Sequence, residues 1–106
     1  MEKQDLYEMC KSIIDLNKQR YVIIKNEIED IIRNNISDNM QIERKLDEML
    51  DILLFYETDD SLRTFKKLCK YYFYINPQVT VDYINYYREQ NDPEDVNFGN
   101  KVEIKD

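Results

Sequence analysis

Histidine and tryptophan are absent from this sequence, and glycine occurs once, at Gly99. Without histidine the chain lacks the side chain most used for proton transfer near neutral pH and the commonest metal ligand. A single glycine rules out a glycine-rich phosphate loop, and Ser12, Ser37 and Ser61 have no evident base to activate them. The expectation is a chain that is not an enzyme and needs no cofactor or metal. Cysteine is also scarce. Cys10 and Cys69 are far apart, form no CxxC pattern and fall on apolar helical faces, so both read as buried free thiols in a reducing cytoplasm. No run approaches the roughly 18 apolar residues of a membrane span, and residues 1 to 20 alternate charge with apolar side chains instead of forming a signal-peptide core. No membrane association is expected.

What is present is charge, isoleucine, asparagine and tyrosine. The net charge of −7 argues against nonspecific binding to nucleic acid or anionic lipid. Its distribution is uneven. Residues 36 to 60 hold eight acids against two bases, whereas residues 61 to 76 hold Arg63, Lys66, Lys67 and Lys70 and no acid at all. With Pro77 and Pro93 the only prolines, the composition favours helices over a turn-rich β fold.

Periodicity predicts four helices, near 5 to 34, 39 to 57, 60 to 75 and 77 to 90. Leu6, Cys10, Ile13, Asn17, Tyr21, Ile24, Ile28 and Ile31 recur at intervals of three or four and so share one side of a long first helix. At 1.5 Å per residue that helix is roughly 45 Å long, so one end is expected to project or to meet a partner. Asn17 reads as a satisfied polar residue within the stripe. Asn34 and Asn35 stop the helix, and Asp38 with Gln41 opens the second as a capping box. Its inner face is Ile42, Leu46, Met49, Leu50, Leu53 and Tyr56; its outer face carries Glu43, Asp47 and Asp51 at successive i,i+4 positions. Thr58 to Ser61 caps the third helix, whose core face is Leu62, Phe65, Leu68, Cys69, Tyr72 and Ile75. Asn76 and Pro77 end it and start the fourth with almost no loop. The architecture expected is all-α, a compact bundle of three to four helices over residues 1 to 93. Phe65, Leu68, Tyr72, Leu46, Leu50, Leu53, Ile13 and Ile24 form its core, and residues 94 to 106 a polar, flexible C-terminal tail.

Seven of the seventeen residues from Tyr71 to Tyr87 are aromatic, more than one small core readily hides. Tyrosine joins a large apolar body to a hydroxyl that wants a partner, which suits a surface that is dry when bound and wet when free. Val22, Ile23, Leu54, Phe55, Tyr74 and Tyr86 lie off the main stripes. The functional expectation is a protein-binding module with Glu43, Asp47, Asp51, Phe55, Tyr74 and Tyr86 as its partner-binding residues. The acidic face steers toward a basic surface and the aromatics supply anchors. Small acidic helical chains with this AT-rich residue bias are common among phage and mobile-element accessory proteins, so the expected role is inhibition or regulation of a larger nucleic-acid-handling protein, such as a defence nuclease. Two alternatives stand beside it, a bacteriocin or toxin immunity protein and a small DNA-binding regulator. The second is weakened because the helix after the abrupt turn offers only Arg88 as a cation against Asp82 and Glu89. A homodimer along the first helix, through Val22 and Ile23, is a further possibility.

Overall fold

In a computed structural model, residues 3–91 are described and form four α-helices: α1 (Lys3–Arg33), α2 (Asn39–Phe55), α3 (Asp59–Phe73) and α4 (Pro77–Asn91). Each boundary has a local cause in the sequence. After α1, Asn35 takes a left-handed conformation with φ 55°. Ile36 N–H then bonds back to Ile31 O at 3.0 Å and Asn35 N–H to Ile32 O at 3.2 Å, a Schellman closure that Asn tolerates better than most residues. The Asp38 carboxylate caps α2 by accepting from Gln41 N–H at 3.0 Å. Thr58 and Ser61 form a reciprocal capping box at α3, in which Ser61 N–H donates to Thr58 Oγ1 at 3.0 Å and Thr58 N–H to Ser61 Oγ at 2.8 Å. At α4, Asn76 Oδ1 accepts from Val79 N–H at 3.2 Å and Pro77 occupies the first turn.

α2 and α3 each pack against all three other helices, while α1 and α4 lie on opposite sides of that pair and do not touch. The centre is Ile28, Ile42, Leu46, Met49, Ile52, Leu53, Leu68 and Tyr72, with Phe65 beside them. The expected all-α bundle with a long first helix is therefore what forms. No helix among the described residues is long and apolar enough to cross a membrane. The tail expected at residues 94 to 106 lies outside the described residues.

The core assignments of Ile13 and Leu50 are corrected, as is the burial expected of Leu6 and Cys10 on the α1 stripe. Ile13 is 42 % exposed, and Leu6 and Cys10 are exposed with it. The α1 stripe is continuous, but α2 and α3 are 17 and 15 residues long against 31 for α1, so no other helix among the described residues stands opposite its first half. Every residue from Lys3 to Leu16 is exposed and Asn17 is the first to be covered. Leu50 is only half-buried, at the rim of the core, while Ile52 takes a fully buried place on the other flank of α2.

Candidate protein-binding site

The tyrosine surplus has a structural explanation before it has a functional one. Most of these hydroxyls reach across to another element and tie helices together. Tyr21 of α1 donates to the Asp60 carboxylate and lies 2.7 Å from Thr64 Oγ1; Tyr71 donates to Ile36 O at 2.6 Å. Tyr72 donates to the Glu43 carboxylate and lies 3.1 Å from Asn39 Oδ1. Tyr83 donates to Asp47 Oδ1 at 2.8 Å, and Tyr87 to Glu57. Burial, reinforced by the neighbouring carboxylates, pushes the Tyr21 and Tyr72 phenols up to about 12, and Tyr83 is raised for the same reasons. Asp60 is held below the usual carboxylate range, first by the Tyr21 hydrogen bond and then by that of Lys25 at 3.0 Å.

These clasps divide the six residues expected to bind a partner. Glu43 and Asp47 serve as acceptors for Tyr72 and Tyr83 in the seams that α2 makes with α3 and α4. Asp51 and Phe55 remain on the outward face of α2, with Leu54 beside them. Tyr86 is half-exposed and meets the Tyr83 ring edge-on at 5.6 Å between centroids, which places it near Asp47. Tyr74, 82 % exposed, lies elsewhere, at the end of α3. It lines a groove that Tyr86 does not reach.

That groove, about 490 Å³, runs between α3 and α4. Its α3 wall is Leu62, Phe65, Cys69 and Phe73, successive positions three or four apart on one helical face; its α4 wall is Thr80, Ile84 and Tyr87. Phe65 and Tyr87 meet across it at 5.6 Å between ring centroids. Lys66 and Lys70 stand on the α3 rim, with Arg88 on the α4 side. Burial raises the Cys69 thiol to about 12, so it sits in the wall as a small apolar group and not as a nucleophile. The sequence signal for this groove was the i,i+4 series Phe65, Cys69, Phe73 with Ile84 and Arg88 one turn apart on α4. Phe73 and Ile84 look like surplus core residues until the helices are placed.

The arrangement is suited to holding an elongated apolar object with acids along its edge. Among the described residues no group of three or more His, Cys, Asp or Glu side chains is placed to hold a metal ion. No protein-family model, curated protein or solved structure matches this chain.

Proposed function

We propose that this chain is a noncatalytic protein-binding module that regulates a larger protein by holding an amphipathic, acid-bearing helix of that protein in the α3–α4 groove. The carrying observation is an apolar trough rimmed by Lys66 and Lys70 on a chain whose net charge is −7. A helix with apolar residues at i, i+3, i+4 and i+7 fits a trough between two packed helices. Carboxylates on its flanks meet the lysines, while the acidic remainder of the surface repels other approaches and so favours this site and orientation. Two unpaired thiols, one of them the exposed Cys10, suit a reducing cytoplasm.

A second reading rests on the outward face of α2. Leu54 and Phe55 are half-exposed beside Asp47 and Asp51, a combination fitted to a basic protein surface. Inhibition of a nucleic-acid-handling protein, such as a defence nuclease, by a phage or mobile-element product belongs to this face. An immunity protein would use it in the same way against a toxin.

The test is an NMR titration with two short amphipathic peptides sharing a Leu stripe, one with Glu and one with Lys at the remaining positions. The proposal expects the Glu peptide to bind, with shifts concentrated at Leu62, Phe73 and Ile84, and the double variant K66E/K70E to lose it. Binding of the Lys peptide at Asp51 and Phe55 would favour the α2 face, and retention of DNA at physiological salt would favour a DNA-binding regulator.

A further inference from the structure

The first half of α1 is an arm, and its composition is not that of a solvated helix. Counted as a heptad with Leu6 and Ile13 at d and Cys10 and Asn17 at a, the e positions are Tyr7 and Ile14 and the g positions Met9 and Leu16. From Leu6 to Leu16 every a, d, e and g position is apolar, whereas Glu8, Lys11, Ser12 and Asp15 fill b, c and f; the turn before it is polar, with Lys3 at a and Asp5 at c. The apolar arc spans roughly 180° at 100° per residue, and all of it is exposed. A helical segment of this length is marginal in water without tertiary contacts.

We infer that this arm pairs with the arm of a second copy of the same chain, antiparallel and about a two-fold axis passing between Lys11 and Ser12. The direction follows from the bundle. Beyond Asn17 the same α1 stripe, Tyr21, Ile24, Ile28 and Ile31, is covered by the chain's own helices. Two arms paired in parallel along that line would therefore drive their bundles into one another. In the antiparallel arrangement each arm extends the layer in which the other copy's bundle ends. Cys10 then faces Ile13 of the second copy and Ile13 faces its Cys10; Tyr7 flanks Ile14 on one side and Met9 flanks Leu16 on the other. Leu6 comes to the edge of the other bundle, where Asn17 passes under cover with its amide donating to Ile13 O at 2.8 Å.

The surface available is sufficient. The six large apolar side chains of one arm, each about half-exposed, carry roughly 600 Å², and two arms roughly 1,200 Å², against the approximately 1,000 Å² above which specific interfaces fall. Pairing is isologous and closes on itself, so it yields a dimer and no filament. It leaves the α3–α4 groove open because α1 and α4 lie on opposite sides of the bundle, and the dimer presents two grooves. The inference does not depend on what the groove binds.

Sedimentation equilibrium together with thiol cross-linking decides it. The wild-type chain should show a reversible monomer–dimer equilibrium in the micromolar range. Ile13→Glu and Leu6→Glu should each weaken it at least tenfold while leaving the cooperative unfolding of the bundle in place, because both positions are exposed in the single chain. Across an antiparallel pair with axes roughly 8–10 Å apart, facing Cα atoms such as those of positions 10 and 13 lie about 4–5 Å closer than the axes and within disulfide reach. The two Cys10 residues are further offset by about 4.5 Å of helical rise, which carries them to or past the approximately 7 Å limit. Copper phenanthroline should therefore cross-link Ile13→Cys through Cys10 and leave the wild type largely uncross-linked. A monomer at high micromolar concentration overturns the inference and leaves the arm for a different protein. A dimer lost on Val22→Glu but kept on Ile13→Glu, or a wild-type Cys10–Cys10 disulfide, overturns it as well.

Discussion

Replacing Tyr72 with Phe removes one hydroxyl and leaves the ring in place. Tyr72 is 0 % exposed, and its hydroxyl joins α3 to α2 through Glu43 and Asn39. A hydrogen bond to a charged acceptor contributes about 1.5–3 kcal/mol net. Asn39 is exposed and Glu43 half-buried, so both acceptors can take water once the hydroxyl is gone and neither is stranded. The expected loss is therefore at the low end, about 1.5–2 kcal/mol. Urea unfolding followed by circular dichroism should show it as a lower midpoint with an unchanged slope, since the area exposed on unfolding barely changes. Glu43→Gln in the same background completes a double-mutant cycle with an expected coupling of about 1 kcal/mol or more. A loss below about 0.5 kcal/mol, the range of ordinary surface substitutions, would refute the claim that Glu43 is a clasp and return it to the set of partner-binding acids.

The remaining expectations concern the same clasps and the caps. With Tyr21 and Tyr72 raised to about 12 and Tyr83 also raised, the folded state holds phenolic protons that the unfolded chain gives up near pH 10. Stability is then complete below about pH 10 and falls as pH rises from about 10 to about 12; an ultraviolet titration should show these tyrosines ionising late and together with unfolding. Ser61→Ala should cost about 1–2 kcal/mol in thermal or urea unfolding, because Ser61 is fully buried and completes the α3 capping box. Adding EDTA or micromolar calcium should leave the melting temperature unchanged, whereas a rise of several degrees with calcium would give the Glu43, Asp47 and Asp51 stripe an ion.

The helices and their ends were legible because local chemistry sets them. Asn35, Asp38, Thr58, Asn76 and Pro77 act within one turn of their own positions. Burial was legible as well at Leu46, Leu53, Phe65, Leu68 and Tyr72, because α2 and α3 each pack against all three other helices, but not at Leu50 and Ile52, which lie on opposite flanks of α2. The α1 stripe misled at Leu6, Cys10 and Ile13 because periodicity records which side of a helix is apolar and not whether anything lies opposite; the lengths of α2 and α3 decide that. Glu43 and Asp47 read as a surface feature because their partners, Tyr72 and Tyr83, come from helices 29 and 36 residues away. Tyr74 and Tyr86 were rightly seen as outward-facing, but their assignment to one surface fails because they flank α4 on different sides, one in the groove and one beside α2.

Selection from an unbiased library of displayed helical peptides tests the central claim most directly, since it lets the protein choose its ligand. The account predicts enrichment of sequences with apolar residues at i, i+3, i+4 and i+7 and Asp or Glu between them, competed by one another and lost on the double variant K66E/K70E. Enrichment of lysine- and arginine-rich peptides that survive that variant and are lost on Asp51→Lys with Phe55→Ala would contradict it and move the binding site to α2.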